Sequence, residues 1–135
     1  MASHGPLFAF ILWILMPGKV VLVVDDEPSV RRIVKTILQR EGFQTLEAGS
    51  GSEALDLIQV VGSDIDLLLT DIVMPRMDGI SLAESFWELF PLVPVLFMSG
   101  FISSGPFHEP MERYALLDKP FTPETLIKAI HELMA

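Results

Sequence analysis

The chain is 135 residues long, half of them apolar, with no cysteine and a formal net charge of −9. That length suits one domain with a core large enough to fold without staples, and the lack of cysteine excludes a disulfide framework and a thiolate zinc site. The acidic balance argues against direct nucleic-acid binding, which needs a basic patch, and suits a cation or a basic partner surface.

Leu7 to Met16 is an unbroken apolar run. It is too short for a spanning helix, which needs about 20 such residues. It also lacks the basic start and small-residue cleavage site of a secretory signal. Pro17-Gly18 separates it from the remainder of the chain. Residues 1–18 are read as an N-terminal extension: added sequence, a misplaced start, or a docking segment able to drive self-association. Residues 19–135 are read as the domain, and with no span or signal a cytoplasmic location is expected.

Val20 to Val24 reads as a buried strand ending in Asp25-Asp26. Pro28 opens a helix at its favoured first-turn position, with Val30, Ile33, Val34, Ile37 and Leu38 on one face, and Gly42 closes it. Phe43 to Ala48 is a short second strand. Ser50-Gly51-Ser52-Glu53 has capping-box spacing ahead of a second helix carrying Leu55, Leu57, Ile58 and Val61. Leu67 to Thr70 is a third buried strand that delivers Asp71 to its end, followed by turn signals at Met74-Pro75 and Asp78-Gly79. A third helix runs from Gly79 to Phe90, and Pro91 stops it. Val95 to Met98 is a fourth strand, ending at Ser99-Gly100. Gly105-Pro106 and Pro110 leave room for only a short fourth helix. Tyr114 to Leu117 is a fifth strand, ending at Asp118-Lys119-Pro120, and Thr122-Pro123 opens a last helix with Leu126, Ile127, Ile130 and Leu133.

Five strand–helix units with right-handed crossovers predict an α/β domain: one doubly wound, five-stranded parallel sheet with helices on both faces. The order 2-1-3-4-5 sets the first and third strands side by side at the switch point, where open α/β sheets bind ligands. Asp25, Asp26, Asp71, Ser99 and Lys119 each follow a strand, so the fold gathers them at one edge. Any one of them alone is more often a turn, a cap or a strand end; together they point to chemistry. Three carboxylates repel unless a cation joins them, which predicts at least one raised carboxyl pKa. Oxygen-only donors select a hard ion, and Mg²⁺ uses one or two carboxylates plus waters and phosphate oxygens. A carboxylate can act as nucleophile in phosphoryl transfer, with Mg²⁺ and a lysine neutralising the transferred group and Ser99 donating a hydrogen bond to it.

Val23-Val24-Asp25-Asp26-Glu27, Thr70-Asp71 with Met74-Pro75 and Met77-Asp78-Gly79, Met98-Ser99-Gly100 and Lys119-Pro120-Phe121 stand in the order seen in receiver domains of two-component response regulators. From Lys19 to Ala135 the chain resembles that flavodoxin-like family. The resemblance implies Asp71 as phosphoacceptor, Asp25 and Asp26 as the Mg²⁺-binding pair with the Val73 carbonyl as a further ligand, Ser99 as the switch hydroxyl and Lys119 as the phosphate-binding lysine, before a cis bond to Pro120. It implies a histidine kinase or histidine phosphotransfer protein as phosphodonor and an output partner that the sequence does not identify. Phe97 to Phe101 and Lys119 to Thr122 are similar to receivers attached to hybrid histidine kinases. Two departures bear on the output face: the family's switch aromatic falls at Leu116, and the fourth helix is shortened. The two side chains that flank the phosphoryl group in the family fall at Val73 and Phe101, which implies a long-lived phosphorylated state. An aspartyl-phosphate-forming phosphohydrolase is the competing enzyme reading; such enzymes often place an acid two residues after the nucleophile, where this chain has Val73. A non-phosphorylated interaction module is the third, and the intact acidic pair, Asp71 and Lys119 oppose it.

Overall fold

Valine-rich runs buried on both faces are what a parallel sheet sandwiched between helices requires. The computed structural model describes residues 18–100 and 113–134. In it, β1 (Val20–Val24), β2 (Gln44–Ala48), β3 (Leu67–Asp71), β4 (Val95–Ser99) and β5 (Tyr114–Asp118) form one sheet in the order β2-β1-β3-β4-β5. Every neighbouring pair is parallel. Central β3 and β4 are buried throughout, whereas the edge strands β2 and β5 are partly exposed.

Alternation along the strands divides the core in two. Val21 and Val23 of β1, Leu67 and Leu69 of β3, and Leu96 and Met98 of β4 meet Val34 and Leu38 of α1 (Pro28–Arg40) and Leu126 and Ile130 of α4 (Pro123–Met134). On the opposite face Leu22, Val24, Leu68, Val95 and Phe97 meet Ala54 and Ile58 of α2 (Gly51–Val61) and Leu82, Ala83 and Phe86 of α3 (Gly79–Leu89). Each such Leu, Val or Phe contributes about 1.5–3 kcal/mol by leaving water. A short 3₁₀ turn, Gly62–Asp64, leads into β3.

The strand ends differ from the sequence reading by about one residue. β4 continues through Ser99 and β5 through Asp118 because these two are ladder partners, and β2 begins at Gln44. The box before α2 also closes differently. The Ser50 hydroxyl accepts from the Glu53 N–H at 3.1 Å, but the Glu53 carboxylate accepts from the Gly49 N–H at 2.8 Å, one residue before the expected partner. The apolar run Leu7 to Met16, Phe101 and the expected short fourth helix lie outside the described residues. Among the described residues, no helix is long and apolar enough to cross a membrane.

Candidate functional site

The C-terminal ends of β1, β3, β4 and β5 converge on one edge, and the polar residues there are buried: Asp25 0%, Asp71 7% and Ser99 4% exposed. The Lys119 ammonium lies between two of the acids, 3.0 Å from Asp25 Oδ2 and 3.3 Å from Asp71 Oδ2. It is delivered there by the turn after β5, where its backbone N–H donates to the Ser99 carbonyl at 2.8 Å and the Lys119–Pro120 peptide is cis. One carboxylate oxygen from each of Asp25, Asp26 and Asp71 lies within 4.8 Å of the others.

Asp25 is committed on every side. Its Oδ1 accepts from the Glu27 N–H at 2.9 Å, its Oδ2 from Lys119, its own N–H donates to the Ala48 carbonyl at 3.2 Å, and its carbonyl accepts from Arg31 Nη1 at 2.6 Å. Asp26 is exposed, and among the described residues its side chain has no hydrogen-bond partner. Arg31 is not legible as part of the site from the sequence, because an arginine on an exposed helix turn reads as a solvated charge. Its position one turn beyond an acidic pair was the only hint.

The loop after β3 folds tightly under Asp71. The Ile72 N–H donates to the Met98 carbonyl at 3.0 Å and the Gly79 N–H to the Ile72 carbonyl at 2.8 Å. Between them the Met77 N–H reaches back to the Pro75 carbonyl at 2.8 Å, with Arg76 left-handed at φ 71°. Gly79 is required here: a Cβ would sit 2.0 Å from the Asp71 carbonyl oxygen. Asp78 caps α3 by accepting from the Ser81 N–H at 2.8 Å, as N-cap aspartates do. The Val73 side chain is 68% exposed, while its backbone N–H favours the charged form of the Asp71 carboxylate.

Burial is the main reason the Asp71 pKa stands above its ordinary value, and the Asp25 charge adds to it, against the opposing pull of Lys119 and the Val73 N–H. The expected rise is therefore present but its leading cause is desolvation, not the like-charge repulsion anticipated from the sequence. For Lys119 burial opposes the charge, yet the bond and charge of Asp25, then Asp71, outweigh it and raise its pKa. The result is a buried carboxylate whose charge is opposed by desolvation, next to an exposed second acid and a firmly held ammonium.

Residues 21–131 match the model of the response regulator receiver domain. The chain belongs to that family, and it is a regulatory receiver domain of two-component signal transduction. It is 33% identical over 116 residues to the sensor kinase CckA of Brucella abortus, covering 84% of this chain but 12% of that protein. It is 31% identical over 118 residues to the response regulator receiver protein CpdR of the same organism, covering 86% of this chain and 97% of CpdR. Among solved structures, the receiver domain of the hybrid histidine kinase CckA superposes with a TM-score of 0.75 at 30% identity, over 86% of this chain and 99% of that one. Chemotaxis protein CheY4 of Vibrio cholerae superposes with a TM-score of 0.78 at 30% identity, over 86% and 98%. Receiver domains interact with histidine kinases or phosphotransfer proteins, and the structure holds the acidic cluster that suits a metal ion in this family.

Proposed function

We propose that Asp71 is the phosphoacceptor of this receiver, that Asp26 and Asp71 bind Mg²⁺ directly with the Val73 carbonyl, and that Asp25 acts on the ion through a bound water. The observation that carries the reading is the convergence of Asp25, Asp26, Asp71, Ser99 and Lys119 on one sheet edge. The donor set fits the ion: carboxylate oxygens within 4.8 Å of one another, with neither histidine nor cysteine, are hard ligands of the kind Mg²⁺ selects. The commitment of both Asp25 oxygens to Lys119 and the Glu27 N–H favours an indirect role for that residue.

When bound, Mg²⁺ neutralises charge on the phosphoryl oxygens. An Asp71 carboxylate oxygen attacks the phosphorus of a phosphohistidine or small phosphodonor; the new O–P bond forms as the bond from phosphorus to the donor breaks, and the leaving group departs with the electron pair. Lys119, held by Asp25, turns its remaining N–H bonds to a phosphoryl oxygen, and the Ser99 hydroxyl donates to another. The domain extends over residues 19–135, with residues 1–18 as an extension. Its phosphodonor is a histidine kinase or histidine phosphotransfer protein, and it works in the cytoplasm. On β5, Leu116, 38% exposed, stands where the family has its switch aromatic, and leucine cannot make the same ring rotation.

Acetyl phosphate with Mg²⁺ should add one phosphoryl mass to the intact protein, and Asp71→Asn should abolish it. Label that persists on Asp71→Asn, or that forms equally with chelator present, would refute the assignment.

A further inference from the structure

We infer that Arg31 is a positioning residue for the metal site, a strut that sets where Asp26 points. The inference rests on the proposed Mg²⁺ site. Arg31 projects from the first turns of α1 across the mouth of β1. Its Nη1 donates to the carbonyl oxygen of Asp25 at 2.6 Å. That carbonyl belongs to the peptide joining Asp25 to Asp26, so the bond fixes the plane of that peptide and with it the direction in which the Asp26 side chain leaves the backbone. The Asp26 side chain has no hydrogen-bond partner of its own among the described residues, so its direction is set by the backbone that carries it. Of the other three polar groups of Asp25, the N–H bonded to Ala48 and the Oδ2 bonded to Lys119 do not reach Asp26, while the Oδ1 that accepts from the Glu27 N–H holds the peptide on its far side, so Arg31 and Glu27 together fix the two peptides that flank Asp26.

The far end of the strut is anchored on β2. Arg31 Nε is buried, makes no hydrogen bond, and lies 3.5 Å from Glu47 Oε1, an ion pair without bonding geometry. Glu47 Oε2 is in turn 3.1 Å from Lys35 Nζ on the next turn of α1. The guanidinium passes over Gly49, where a Cβ would approach Nη1 to 3.3 Å. Glu47 and Lys35 are exposed enough for water to weaken their pairing, so they guide the guanidinium while the carbonyl bond holds it. Groups that orient metal ligands from behind commonly change metal affinity by about 10–100-fold when lost.

Charge and geometry predict opposite signs, which makes the inference testable. A cation beside an acidic cluster repels Mg²⁺, so if charge alone mattered Arg31→Ala would tighten Mg²⁺ binding. If the strut matters, Arg31→Ala weakens it by about tenfold, and Arg31→Lys, which keeps the charge but loses the forked reach to both Asp25 and Glu47, weakens it as well. Calorimetric titration of the full chain with Mg²⁺, well below the unfolding temperature, reads this directly. A merely structural role would lower the stability of the metal-free protein and leave the affinity of the folded fraction unchanged. Glu47→Gln should give a smaller loss, and the pair Arg31→Ala with Glu47→Gln no more than Arg31→Ala alone. Unchanged or tighter binding in Arg31→Ala, or full affinity in Arg31→Lys, would overturn the strut. Failure of the parent to bind Mg²⁺ would overturn the metal site itself, and the strut with it.

Discussion

Val73 brings an apolar side chain to the rim of the acidic site, 68% exposed, two residues after Asp71. It has no group to orient an attacking water. Hydrolysis of an aspartyl phosphate needs a water placed in line with the O–P bond, and such placement is a large part of what a site contributes to rate. A phosphorylated form that decays slowly is the expected outcome; Phe101, which the family resemblance also sets beside the phosphoryl group, lies beyond the described residues. Replacing Val73 by Asn and Phe101 by Glu together should speed decay by about tenfold through water positioning, measured as loss of the phosphorylated mass after the donor is removed. Equal lifetimes in the double variant and the parent would show that these side chains do not gate water.

Among the elements, the turn from β3 into α3 is where fold and site are hardest to separate. α3 starts at Gly79, directly against the strand end that carries Asp71, because the missing side chain lets the two backbones touch. A Cβ there would lie 2.0 Å from the Asp71 carbonyl oxygen and 3.1 Å from the Ile72 Cα, all backbone that cannot rotate aside. At Gly51, the start of α2, the atoms met are those of the flexible Met77 side chain, at 2.7 to 2.9 Å. Gly79→Ala should therefore cost about 3 kcal/mol, at the high end for overpacking, and impair phosphorylation by displacing Asp71. Gly51→Ala should cost less, about 1–2 kcal/mol, because Sδ and Cγ of Met77 can swing aside and only its Cβ, 2.9 Å away, requires a shift of the loop that carries it. Urea unfolding of both variants checks the contrast, and similar losses at the two glycines would refute it.

On the scale of the whole molecule, the site works against stability. Asp71 has a raised pKa chiefly because burial disfavours its charged form, so its ionisation costs more in the folded chain than in the unfolded one. Below its ordinary value near 3.8 the carboxyl is protonated in both states and the penalty is absent. As pH rises through the folded pKa the penalty develops, and it is then constant toward neutrality. Asp71→Asn removes it while Lys119 keeps Asp25 as partner at 3.0 Å. The variant should be more stable than the parent at pH 7 in chelator, with the advantage shrinking as pH falls toward 4, measured by thermal unfolding across that range. Mg²⁺ should narrow the gap by binding the folded parent. Lys119 adds a separate, opposite dependence: its raised pKa supports the fold below about pH 10.5 and is lost only as pH climbs above that.

The sequence by itself determined the sheet, its order and the membership of the site. Val20 to Val24, Leu67 to Leu69 and Val95 to Met98 are runs that only a doubly covered parallel sheet can bury. Each site residue lies within two residues of the end of such a run, Lys119 after the fifth, Tyr114 to Leu117, so knowing the topology was enough to bring Asp25, Asp26, Asp71, Ser99 and Lys119 to one edge. The tertiary structure alone decided what those residues touch. That Arg31 reaches the Asp25 carbonyl, that Glu53 bonds Gly49 instead of Ser50, that Gly79 lies against the Asp71 carbonyl, and that burial outweighs like-charge repulsion at Asp71 depend on distances across separate chain segments. Hydrophobic periodicity reports which side of an element faces the core. It carries no measure of how closely two backbones approach or how much water a carboxylate loses, and those quantities set the geometry and the charge state of the site.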